Sequence, residues 1–243
     1  QQVTPALLVG MAGAYTNSDL HELDGASTAD CLSWDGYLYG QWDNPHSQGG
    51  WFAQTVFGIG TDSIDTKRAI GFFGREAKSD HDASHGTIQV NGGYRVTVAS
   101  WNIVPTVGLE YLWMQEDSFT ERGAQSASLK MSDKDSELLR SAAGFKVEHS
   151  YHHEEVTLLT QLGAVWNHAF NTDGEQAEAT FVASEESFRM EGREVADDSV
   201  ELSLFLNASF INGITTRLGY QRTVQNSGGY RSGQFSLGLE WLF

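Results

Sequence analysis

The chain has 243 residues, with 32 acidic against 15 basic side chains and a formal net charge of −17, which excludes a nucleic-acid backbone as partner because that requires a basic stripe. Cys31 is its only cysteine, so neither an intrachain disulfide framework nor a cysteine-based zinc cluster is available. The mean hydropathy is polar, at −0.34, and no run approaches the roughly 18 apolar residues of a spanning helix, so any crossing of a bilayer uses strands.

Aromatics make up 12% of the residues, glycine contributes 26 and proline 3, a composition suited to many strands with few kinks. No proline-rich or glycine-serine linker divides the chain, and residues 1–243 read as one domain. The N-terminal QQVTPALLVG lacks the basic flank and cleavage pattern of a signal peptide. An exported form has lost one or begins further upstream.

Apolar and polar residues alternate with a period of two from one end of the chain to the other. The first segment, 6–15, turns Leu7, Val9, Met11 and Tyr15 outward and small residues inward. The second, 31–42, turns Leu32, Trp34, Leu38 and Trp42 outward against Ser33, Asp35, Tyr37, Tyr39 and Gln41. In the third, 51–61, Trp51, Ala53, Phe57 and Ile59 face out. The fourth sets Ile88, Val90, Tyr94, Val96 and Val98 against Gln89, Asn91, Arg95 and Thr97.

The fifth turns Val107, Leu109, Tyr111 and Trp113 outward and leaves Glu110 and Glu116 inside. In the sixth, 138–150, Leu139, Phe145 and Val147 oppose Arg140, Lys146 and Glu148. The seventh, 157–168, shows Leu158, Leu162 and Trp166. The eighth opposes Val200, Leu202, Leu204, Leu206 and Phe210 to Glu201, Ser203, Asn207 and Ser209. The ninth, 215–224, is weaker. The tenth, 233–243, turns Phe235, Leu237, Leu239, Trp241 and Phe243 outward over Gln234, Ser236, Gly238 and Glu240.

A soluble sheet also alternates, so the charges decide. A lipid-facing Arg or Lys at mid-membrane costs about 2–4 kcal/mol, and Asp35, Arg95, Glu110, Arg140, Lys146, Glu201, Arg217 and Glu240 all take the inward parity. His149, His168 and Arg222 take the outward one near strand ends, where the cost is small. Trp42, Trp51, Trp101, Trp113, Trp166 and Trp241 form interfacial belts. The expectation is an all-β fold, an antiparallel up-and-down transmembrane β-barrel of ten strands, with hydrocarbon outside and water inside.

Alternate connections are short (43–50, 102–105, 152–155, 211–214), whereas 62–86, 116–136 and 171–198 are long and hydrophilic. Short periplasmic turns and long external loops place both termini in the periplasm.

Residues 104–243 resemble the C-terminal translocator barrel of autotransporters, the type V secretion pathway. The resemblance rests on a Phe-x-Glu-x-Gly element at Phe119, Glu121 and Gly123, then Leu139, Arg140 and Gly144, then Trp166, His168 and Phe170, then Phe181, Phe188 and Gly192. It implies a non-enzymatic outer-membrane barrel that exports and anchors an upstream passenger, with no cofactor or metal. Its partners would be outer-membrane lipid and lipopolysaccharide, the barrel-assembly machinery and its own passenger or linker segment in the lumen. Phe243 and the outward residues of its strand would be the assembly signal. The family has twelve strands preceded by a lumenal helix, so two N-terminal strands, that helix and the passenger are expected outside this chain.

The cluster SDHDASH brings His81, Asp82 and His85 together as a metal or protease site does, and omptin proteases are ten-stranded barrels with Asp and His at the outer rim. The stretch reads as one flexible polar loop, without the convergent fixed ligands such chemistry needs; the same holds for the turn at His152, His153, Glu154 and Glu155. Gly58, Gly60, Gly92, Gly93 and Gly108 read as bends or close approaches, because no helix follows them. The inward charges Asp35, Arg95, Glu110, Glu116, Arg140, Lys146, Glu148, Glu201, Arg217 and Glu240 mix signs. They favour cross-strand pairing and a hydrated lumen over a strongly ion-selective pore. Two other functions stay open: a passenger-less channel or adhesin, and an omptin-like protease.

Overall fold

The computed structural model describes residues 2–4, 6–21, 27–46, 49–171, 176–184, 186–192, 196–225 and 231–241. Its strands are β1 (Gln2–Thr4), β2 (Leu7–His21), β3 (Thr28–His46), β4 (Gly49–Ile70), β5 (Arg75–Val98), β6 (Trp101–Glu116), β7 (Phe119–Thr120) and β8 (Leu129–Met131). Next come β9 (Lys134–His153), β10 (Val156–Ala169), β11 (Gln176–Phe181), β12 (Ser187–Glu191), β13 (Asp198–Phe210), β14 (Ile214–Gln225) and β15 (Arg231–Trp241). Ten long strands form one antiparallel up-and-down sheet in the order β2-β3-β4-β5-β6-β9-β10-β13-β14-β15, curled into a half-barrel, and the short β1 pairs at its first edge. Among the described residues no ladder joins β15 back to β1 or β2, so the sheet stays open.

All ten expected segments are strands. Register puts their polar residues on a common face, as in the row Asp35↔Gly60↔His85↔Met114. Burial separates the two faces. On β4, Trp51 and Ile59 are largely exposed while the neighbouring Phe52 is buried, because curling crowds the concave side and spreads the convex one. The apolar residues therefore lie on the convex face, reversing a soluble core. Among the described residues no helix is long and apolar enough to cross a membrane.

Three expectations about the connections are corrected. The stretch 62–86 is not a loop: β4 runs to Ile70 and β5 starts at Arg75, forming one long hairpin capped by a 3₁₀ turn at Gly71–Phe73. Beyond the apolar band both faces are wet, so hydropathy stops alternating while the backbone ladder continues. The link at 102–105 is also strand, since β6 begins at Trp101. Pro105 sits within β6 as a local lapse in the ladder. Pairing with β5 breaks off after Gly93↔Thr106 and resumes at Val96↔Ile103, as a residue without an N–H dictates. Finally, 116–136 and 171–198 carry short strands that join into a second sheet, β12-β11-β8-β7, at the long-loop end.

Candidate functional site

The polar residues near the long-loop end converge on His85. Its Nδ1 lies 2.7 Å from Asp62 Oδ2 and its Nε2 2.7 Å from Asp35 Oδ1, so one imidazole bridges β3, β4 and β5. Ser33 donates to the other Asp62 oxygen at 2.5 Å. Gly60 makes the bridge possible, because a Cβ there would lie 2.5 Å from both Asp35 Oδ1 and His85 Nε2. The stretch expected to be a flexible loop is thus part of β5. His81 and His85 share the inner parity, while Asp82 points to the opposite face and accepts from Ser63 Oγ at 2.8 Å.

This geometry limits the chemistry. Both nitrogens of His85 are engaged by carboxylates, which leaves none to activate water or a substrate, and Ser33 bonds to Asp62 rather than to His85. The cluster is a clamp across three strands. Among the described residues no three His, Cys, Asp or Glu side chains are placed to hold a metal ion. Sequence reasoning missed Asp62 and Ser33 as partners, and their inward parity next to Asp35 was the available signal.

The other inward charges are stitched across neighbouring strands. Arg140 pairs with Glu110. Glu148, buried, accepts from Gln161 at 2.8 Å and Asn102 at 3.3 Å, Glu201 accepts from Gln221 at 3.1 Å, and Arg217 donates to Asn207 at 2.7 Å. Arg95 lies 3.9 Å from Asp43, and its guanidinium and the Lys146 ammonium lie 5.8 and 6.0 Å from the centre of the Phe52 ring. Glu240 stands opposite Thr215. On β15 the outward Phe235, Leu237, Leu239 and Trp241 are all exposed, with Leu237 at 84%; Phe243 lies outside the described residues.

The motif residues acquire local reasons. Phe119 stacks on His81 with ring centroids 4.0 Å apart. Glu121 takes Arg68 in a two-pronged pair, from Nε at 2.8 Å and Nη2 at 2.5 Å, and accepts the Leu129 N–H at 2.8 Å. Gly123 has φ +100°, and a Cβ there would lie 2.6 Å from the Glu76 carbonyl oxygen. The Phe-x-Glu-x-Gly element therefore ties the second sheet to the β4–β5 hairpin. Trp166 and His168 both bond to Asp198, at 2.9 and 3.1 Å, and the His168 ring meets Phe170 edge-on. Phe181 and Phe188 pack together across β11 and β12. At Gly144 an added Cβ would lie 2.5 Å from the Ala164 carbonyl oxygen, so β9 and β10 approach too closely there for a side chain.

Comparison with known proteins agrees with this architecture. The chain superimposes on the translocator domain of the autotransporter NalP from Neisseria meningitidis with a TM-score of 0.74 at 16% identity, covering 100% of this chain and 77% of that one. It superimposes on the β domain of the Bordetella autotransporter BrkA with a TM-score of 0.58 at 14% identity, covering 98% and 92%. It is 23% identical over 238 residues to an extracellular serine protease of Serratia marcescens, which covers 97% of this chain but 22% of that protein. A second extracellular serine protease of the same organism is 22% identical over 183 residues, 74% of this chain and 17% of the relative. The chain thus spans about a fifth of the length of the curated relatives it matches. The autotransporter β-domain family model matches residues 1–221, and with its curled sheet and paired inner charges the chain belongs to that family.

Proposed function

We propose that this chain is the outer-membrane translocator barrel that exports an upstream passenger and anchors it at the cell surface. The observation that carries the reading is one continuous ladder with an apolar convex face and a concave face of paired polar side chains. Asp35, Arg95, Glu110, Arg140, Lys146, Glu148, Glu201, Arg217 and Glu240 line a hydrated lumen that holds the passenger or its linker. Hydrocarbon and lipopolysaccharide surround the outside. The short turns and both termini are periplasmic, and the second sheet is extracellular.

The open edges support a longer chain. Backbone groups left open at a sheet edge in hydrocarbon cost several kcal/mol each, so in this reading two further N-terminal strands close the cylinder and a linker helix and passenger precede them. The barrel itself performs no catalysis. Phe235, Leu237, Leu239, Trp241 and Phe243 form the signal that the barrel-assembly machinery takes up.

The test fuses a reporter peptide upstream of Gln1 within the full reading frame and treats intact cells with protease. Surface cleavage of the reporter is expected. A barrel that shows heat-modifiable migration while its reporter stays in the periplasm refutes the export reading. Deleting Phe243 lowers the heat-modifiable fraction without lowering synthesis; an unchanged fraction removes the assembly role.

A further inference from the structure

Glu137 breaks the pattern of the inward charges. On β9 it shares the outward parity of Leu139, and register places it directly opposite Trp113. Three successive rungs stack on the convex face there: Ile88, Tyr111 and Leu139, then Gly86, Trp113 and Glu137, then Ser84, Gln115 and Asp135. Each rung joins β5, β6 and β9 at alternate positions, so all these side chains leave the same side of the sheet. The first rung is apolar and the third polar, which puts the middle one at the boundary of hydrocarbon and water, where Trp and Tyr gather.

A glycine opens this part of the face. A Cβ at Gly86 would lie 2.0 Å from the Trp113 ring, so the indole lies over β5 and leans away from Glu137 on its other side. A cavity of about 370 Å³ remains, bordered by Ile88, Tyr111, Trp113, Gln115, Asp135 and Glu137. The Tyr111 and Trp113 rings stack with centroids 5.9 Å apart and form its aromatic wall. The Tyr111 hydroxyl donates to the Glu137 carboxylate. Among the described residues no basic side chain pairs with Glu137 or Asp135. On the hydrocarbon side of the cavity, Ile88, Val90 and Leu109 are exposed on the same face and form an apolar track.

A cleft with acceptors at its wet end, an aromatic wall and an apolar track below fits an amphiphile. Two carboxylates repel a head that is only anionic. A quaternary ammonium brings charge but no N–H, whereas a primary ammonium brings charge and three donors and also suits the face of an aromatic ring. We propose that this outward cleft binds a lipid whose polar head carries a primary ammonium, held by the Glu137 and Asp135 carboxylates beside Tyr111 and Trp113, with an acyl chain along Ile88, Leu109 and Val90. The site uses the lipid-facing side of the barrel and is independent of passenger export.

The test uses the full chain folded in detergent micelles and native mass spectrometry after addition of phosphatidylethanolamine, phosphatidylglycerol, phosphatidylcholine or glycerophosphoethanolamine, which is the head without its chains. One phosphatidylethanolamine is retained, and Glu137→Gln with Asp135→Asn weakens its binding tenfold or more. Asp65→Asn with Asp80→Asn removes the same charge from the same face outside the cleft and leaves binding unchanged. Retained heat-modifiable migration shows that the variants fold. The proposal is overturned if phosphatidylethanolamine is not retained, if both double variants weaken it equally, or if any of the other three compounds binds as tightly with the same dependence on Glu137 and Asp135.

Discussion

Replacing Glu121 by Gln tests whether the second sheet is held by one ion pair. The carboxylate is 7% exposed and accepts Arg68 Nε at 2.8 Å, Arg68 Nη2 at 2.5 Å and the Leu129 N–H at 2.8 Å. Hydrogen bonds to Arg68 raise its pKa, more than offsetting the lowering by burial, so the guanidinium stays charged. A charge-assisted hydrogen bond contributes about 1.5–3 kcal/mol, and the 38% exposure of Arg68 lets water screen it toward the low end. A glutamine keeps one acceptor oxygen and loses the charge and one arginine bond, a cost of about 2 kcal/mol, or roughly 30-fold in the local opening equilibrium. Hydrogen exchange followed by mass spectrometry in micelles should show amides of residues 119–131 exchanging about 30-fold faster, with β10 and β13 unchanged. Arg68→Lys, which keeps the charge but cannot form the two-pronged pair, should give an intermediate effect. Unaltered exchange in 119–131, or acceleration spread over the whole sheet, would show that Glu121 does not secure this sheet.

Other outcomes hinge on single side chains. His85 lies at the aromatic girdle beyond Ile88, the last apolar outward residue of β5; burial lowers its pKa, but its hydrogen bonds to Asp35 and Asp62 and their charges more than offset this and leave it raised. The clamp therefore contributes fully below the unfolded value of about 6.5 and is lost as pH rises through the higher folded value. Melting in micelles at pH 5.5 and 8.5 should show wild type losing stability relative to His85→Gln, and parallel curves would remove the clamp. Gly123→Ala, forced to hold φ +100° against the Glu76 carbonyl, should cost about 1–3 kcal/mol and open 117–131 to limited proteolysis; wild-type resistance counts against the strain. Leu204→Arg on the convex face of β13 should lose about 2–4 kcal/mol of stability in vesicles. Ser203→Arg on the other face should lose far less, and equal losses would mean that the two faces do not meet different solvents.

The ten strands were legible because apolar and polar residues alternate along them: Leu202 and Leu204 against Glu201 and Ser203, Ile88 and Val90 against Gln89 and Asn91. Register then assembles those residues into rows without disturbing the parity. The reach of β4 and β5 beyond the bilayer was not legible, since Ser63, Asp65 and Lys67 on one face and Thr66 and Arg68 on the other offer no hydropathy contrast. The motif at Phe119, Glu121 and Gly123 was visible as a spacing, but its partners His81, Arg68 and Glu76 come from a hairpin that only the register brings alongside.

The sequence alone determined which residues of each strand share a face, because side chains alternate sides along an extended chain whatever its neighbours are. The tertiary structure decided which inward groups meet, joining Asp35, Asp62 and His85 in one clamp, carrying Glu121 to Arg68 and leaving a cavity beside Glu137. Those contacts depend on the stagger between strands and on where β7 leaves the edge of β5, which are properties of the assembled sheet and not of any single segment.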